Sequence, residues 1–105
     1  MVHSGPNIWV GIAALSYAQK TADTSYLALA EDIARGIMKI QATDAEGGIR
    51  GGASAGWYST EHNLDAYAYF DLLYAATRKE EYLDSRDKVL RWLMAHSYDK
   101  SDVPI

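Results

Sequence analysis

Two carboxylates four residues apart, Glu61 and Asp65, stand at the start of a long apolar run, with His62 and Asn63 between them. On a helix that spacing puts both on one face, with Cβ atoms about 5–6 Å apart. Glycosidic cleavage uses such a pair: one carboxyl protonates the leaving oxygen while the other activates water or attacks, at separations of roughly 5 to 9.5 Å. Just upstream, Glu46-Gly47-Gly48-Ile49-Arg50-Gly51-Gly52 leads through Trp57 and Tyr58 into Glu61. Glycines let a backbone approach a ligand closely, aromatic faces stack on sugar rings, and an arginine offers a forked donor. Glu61 and Asp65 are therefore candidate catalytic residues, with Arg50, Trp57, Tyr58, His62 and Asn63 as candidate binding residues. The same carboxylates equally complement the positive end of a helix capped by Ser59 or Thr60, and spacing alone leaves both readings open.

Other chemistries find less support. His3, His62 and His96 lack a short metal-ligand spacing and the chain has no cysteine, so neither a metal nor another cofactor is implied. The phosphate-loop (GxxxxGKS/T) pattern is absent. With a net charge of −4 and dispersed Lys and Arg, the chain offers nothing to draw a nucleic-acid backbone. The longest nearly uncharged apolar stretch, Ile8 to Ala18, falls short of the roughly 20 residues a membrane span needs, and it lacks the basic flank of a signal peptide. Nothing here fixes a cellular location.

What positions the candidate residues is helical. At 105 residues, 49% of them hydrophobic and 23% charged, the chain fits one packed unit. Apolar periodicity predicts helices over about 6–21, 25–42, 61–77 and 80–96 and requires no strand. Pro6 suits a first helical turn. The second helix carries a stripe of Tyr26, Ala30, Ile33, Ile37 and Ile40, and the fourth one of Tyr82, Val89 and Leu93, with Thr77 and Glu80 as a possible capping box at its entrance. The first and third are apolar around nearly their whole circumference, interrupted in the third by Asp65 and Asp71, and so call for burial on several sides. Tyr17, Tyr67, Tyr74 and Trp92 are expected in the core. The alternation of an enclosed with an amphipathic helix suits an inner layer covered by an outer one, and a simple four-helix bundle is the plainer alternative.

An internal repeat gives the unit. Leu15-Ser16-Tyr17-Ala18 matches Leu72-Leu73-Tyr74-Ala75 at an offset of 57, and Tyr26-Leu27, Ile33, Ile37 and Met38 match Tyr82-Leu83, Val89, Leu93 and Met94 at 56. The fold class read from this is all-α, two antiparallel helical hairpins, with repeat units over about 6–43 and 61–96 joined by a Gly-rich loop over 44–60. The period exceeds that of tetratricopeptide, HEAT or armadillo repeats. A connection this long in a compact helical protein is often functional.

The segments GPNIWVGIAALSYAQKTADTSYLALA, GGIRGG and WYSTEHNLDAYAYFDLL resemble the six-hairpin glycosidase-like superfamily, the (α/α) toroids, over about residues 5–95. That resemblance implies an inner ring containing the first and third helices, with a sugar cleft at their N-terminal ends faced by Asn7, Trp9, Trp57, Tyr58, Glu61, His62 and Asp65. It also implies a carbohydrate ligand. Two hairpins do not close a ring of six, so the resemblance further implies either more hairpins in a longer chain or association of several copies. The superfamily includes lyases, epimerases and phosphorylases besides hydrolases. A non-catalytic helical scaffold or interaction module is the competing reading.

Overall fold

A computed structural model describes residues 4–21, 25–44, 46–51 and 60–96. These form four helices, α1 (Ser4–Thr21), α2 (Ser25–Gln41), α3 (Thr60–Thr77) and α4 (Glu80–His96), with no strand among the described residues. The two antiparallel hairpins expected from the repeat are present: α1 packs along α2, and α3 along α4. The hairpins meet chiefly through α1 against α3. On the other side, side chains rather than backbones span from α2 to α4: the Tyr82 hydroxyl donates to Glu31 at 2.8 Å, and Gln41 Nε2 donates to the Ser85 carbonyl at 2.9 Å. The result is one layer of α1 and α3 backed by a second of α2 and α4.

Small residues set the spacing of these layers. Gly11, Ala14, Ala30, Ala34 and Ala66 are buried where helices cross, and larger side chains fill the spaces between them. Gly11 is the closest of these approaches between α1 and α3. A Cβ there would lie 2.5 Å from Cζ of Tyr69, so only glycine leaves room for that ring. The Tyr69 hydroxyl continues past α1 and donates to the Ala30 carbonyl of α2. Burial holds this phenol in its neutral form, its pKa pushed well above the ordinary value.

The turn of the second hairpin is closed by local geometry. Thr77 belongs to the end of α3 and not to α4: its hydroxyl donates to the Leu73 carbonyl at 2.8 Å, while the same oxygen accepts from the Lys79 N–H at 3.2 Å on the way into α4. Arg78 then takes a left-handed conformation at φ 58° and returns its N–H to the Tyr74 carbonyl at 2.7 Å, a helix stop usually made by glycine. Lys79 reaches back to α2, its ammonium 2.5 Å from the Glu31 carboxylate. Burial pushes the Glu31 carboxyl up, but hydrogen bonds from Lys79 and Tyr82 outweigh that and leave it below the usual carboxylate range.

The burial on several sides that α1 and α3 call for is only partly supplied within the chain, and Tyr17, expected in the core, is exposed. Trp9, Val10, Ala13 and Tyr17 lie exposed along α1, and Leu64, Ala68 and Ala75 along α3. Tyr17 packs edge-on against Tyr26, ring centroids 4.7 Å apart, and both rings remain largely open to solvent. Two hairpins supply each of these helices with neighbours on only part of its circumference. Trp92 is in the core, as expected, and Tyr67 and Tyr74 are half-buried at its margin.

Candidate functional site

The described part of the linking segment is held by three polar side chains. Asp44, just beyond the end of α2, accepts from Gly48 N–H at 2.7 Å and from Glu46 N–H at 3.2 Å, folding the chain back on itself. Gln41, buried at the end of α2, donates both to the Gly47 carbonyl and to the Ser85 carbonyl, each at 2.9 Å. Asn63, fully buried in the first turn of α3, clasps the backbone of Ile49: its amide donates to the Ile49 carbonyl at 3.0 Å, and its oxygen accepts from the Ile49 N–H at 2.8 Å. Ile49 thereby enters the core.

Gly47 and Gly48 serve this packing. Gly47 sits at φ 84°, and a Cβ on it would come 2.7 Å from Lys88 Cβ; one on Gly48 would come 2.4 Å from the Trp92 indole. The close approach that these two glycines permit is therefore to α4, across the outer layer. At the far end, His96 lies tilted against the Trp92 ring, centroids 4.8 Å apart, and sets its Nε2 3.0 Å from the Glu46 carboxylate.

The candidate residues fall into distinct positions. Glu61, His62 and Asp65 share the first turns of α3, Glu61 exposed and the other two half-buried. The Asp65 carboxyl is held above the usual aspartate range, first by burial and then by the charge of Glu61, with His62 working in the opposite direction. Its Oδ2 is buried with no hydrogen-bond partner among the described residues. Asp71, the other acid interrupting α3, differs: it is exposed and lies 2.7 Å from the Arg86 guanidinium. One acid of the helix is neutralised in an ion pair, and the other is paired with a second carboxylate.

Arg50 donates to the Thr43 hydroxyl at 2.7 Å, which ties its head group to the end of α2. Asn63, expected to meet a ligand hydroxyl, is committed to Ile49. Asn7 is half-buried and faces a shallow hollow of about 240 Å³ lined by Asp32, Ile33, Gly36 and Ile37 of α2. Trp9 is exposed on α1. Trp57 and Tyr58, with the cap candidate Ser59, lie outside the described residues.

Sequence reasoning missed a larger groove on the opposite layer. It measures about 730 Å³ between α4 and the end of α2, with Gln41, Asp44, Glu46, Asp84, Lys88 and Arg91 among its lining. Glu61, His62 and Asp65 do not line it. Three of its acids are engaged: Asp44 by backbone N–H groups, Glu46 by His96, and Asp84 by Lys88 at 3.2 Å. Only Gln41, a polar residue ending an apolar stripe, hinted at it in sequence. Among the described residues there is no group of three or more His, Asp or Glu placed to hold a metal ion, and no helix long and apolar enough to cross a membrane.

No family model, no curated protein and no solved structure matches the chain.

Proposed function

We propose that this chain is a sugar-binding part of a glycoside-hydrolase-like helical toroid, with Asp65 as general acid and Glu61 as the carboxylate that activates water. The observation carrying this is the Asp65 carboxyl, half-buried beside a second acid and, among the described residues, lacking a partner for Oδ2. Two acids in environments this different divide the work of acid–base chemistry: the half-buried Asp65 keeps its proton to higher pH and donates it to the leaving oxygen, and Glu61 on the open side takes the proton of the attacking water. Burying an uncompensated carboxyl costs stability, which is the pattern expected of a working group and not of a helix cap. Trp9, Trp57 and Tyr58 would provide stacking faces, and Arg50, His62 and Asn7 polar contacts. Asn63 would act indirectly, by fixing Ile49 next to Arg50.

NMR titration of the chain with mono- and oligosaccharides tests this reading. Shifts should concentrate between Arg50 and Asp65 and leave α4 unmoved. In an assembly that turns a sugar over, Glu61→Gln or Asp65→Asn should lower turnover about 100-fold or more. Unchanged turnover in both variants removes the pair from the mechanism. The second reading, a non-catalytic interaction module, is favoured by the exposed Trp9, Val10, Tyr17 and Leu64, and absence of any sugar-induced shift would leave it the better account.

A further inference from the structure

The two hairpins are repeats of one unit, so equivalent positions 57 apart in α1 and α3, or 56 apart in α2 and α4, can be compared directly. Their burial is opposite where the hairpins meet. Tyr82 is 0% exposed, facing α2, whereas its equivalent Tyr26 is 42% exposed. Ala66 is 0% exposed and its equivalent Trp9 58%. Ser85 is buried and its equivalent Leu29 open. On the other side the sense reverses: Ala34 is 0% exposed and its equivalent Leu90 38%, while Gly11 is buried under Tyr69 and its equivalent Ala68 is open. Hairpin 1 thus presents outward the face by which hairpin 2 grips it, and hairpin 2 presents outward the face by which hairpin 1 is gripped.

We propose that a second copy of this chain stacks head to tail on the first, its hairpin 1 seated on hairpin 2 as hairpin 2 is seated on hairpin 1 within one chain. The interhairpin interface is simply continued. Contacts within the chain have counterparts at matching places between copies. Tyr69 over Gly11 becomes Ile12 over Ala68, a smaller side chain over a slightly larger one. The hydrogen bond from Tyr82 to the Glu31 carboxylate becomes one from Tyr26 to Asp87, again tyrosine to carboxylate; as Glu31 is held by Lys79 beside it, Asp87 is held by Arg86, which donates to its Oδ1 at 3.1 Å. Repeat units of this kind cannot bury their apolar faces alone and do so by stacking on neighbours. A contact between two different faces leaves one of each unsatisfied at the ends, so it grows into a closed ring or an open stack rather than stopping at a symmetric dimer. This mode of association does not depend on what the linking segment binds.

Leu29 and Leu90 lie exposed on the two different faces, so charge can be placed on either without entering the core. In sedimentation, the wild-type chain should shift from single-chain mass to multiples of it as concentration rises. Leu29→Glu and Leu90→Glu, each checked for unchanged helical circular dichroism, should each remain single chains. An equimolar mixture of the two should form a 1:1 complex and grow no further, since each variant keeps the face that the other has lost. A wild-type chain that stays single at every concentration overturns the proposal. So does either variant still forming a dimer alone, which would mean like faces pair, or a mixture that forms no complex.

Discussion

The described start of the linking segment and the first turns of α3 meet at the Ile49–Asn63 clasp, yet they treat polar groups in opposite ways. Along the segment, Gln41, Asp44 and Asn63 direct their side chains to backbone donors and acceptors, and the glycines are used to press the chain against α4. Two residues beyond Asn63, Asp65 is half-buried, its pKa raised first by that burial and then by its neighbour Glu61, and one of its oxygens has no partner among the described residues. The first arrangement lowers the free energy of the fold, and the second raises it. A loop rich in glycine and polar residues is therefore largely scaffold in its described part, and the groups left for a ligand are those on the helix that it leads to.

Three substitutions probe that contrast, and the largest effect falls on the clasp. Asn63→Ala would leave both the N–H and the carbonyl of Ile49 buried without their partner, and thermal or urea unfolding should show a loss of about 2–4 kcal/mol. A loss near zero would mean that the segment is not held this way. Gly48→Ala comes next. Trp92 is packed in the core and has little room to yield, so the added methyl should cost about 1–3 kcal/mol in the same assay, with no effect on any sugar-induced shift at Glu61.

Asp65→Asn should do the opposite, and by less. A carboxyl whose folded pKa lies above its unfolded value binds its proton more tightly in the folded chain, so folding loses stability as pH rises from the ordinary aspartate range through the raised value. Removing the charge should therefore raise stability slightly at pH 7. The gain should vanish once the pH falls below the unfolded aspartate range. A variant less stable than wild type at pH 7 would mark Asp65 as a structural acid like Asp71 and dissolve the contrast.

The helices and their pairing were legible in sequence because apolar spacing and a long internal repeat are local signals. Boundaries moved by a residue or two, as with α1 starting at Ser4 and α3 at Thr60. What could not be read was the identity of partners far along the chain. Asn63 reads as an exposed polar residue at a helix start until Ile49, fourteen residues earlier, is known to lie against it. Gly47 and Gly48 announce close approach but not to what, and the answer lies about forty residues on, in α4. Thr77 fitted a capping box by spacing, yet the left-handed Arg78 ended α3 one residue later and assigned the hydroxyl to that helix. The all-round apolarity of α1 and α3 calls for more neighbours than these two hairpins supply. It did not reveal that Trp9 and Tyr17 would be left open by these two hairpins.

Tyr69 has a consequence for how the molecule comes apart. Its ring occupies the gap that Gly11 leaves on α1, its hydroxyl ends on α2, and its backbone belongs to α3. One side chain thus draws on three helices from both repeats, so hairpin 1 cannot loosen without uncovering a tyrosine of hairpin 2. Arrays of repeats can melt unit by unit from their ends, but a peg shared in this way couples the two units into one cooperative transition. Hydrogen exchange should accordingly report a single opening event for the middle turns of α1, α2 and α3, with only the helix ends exchanging earlier.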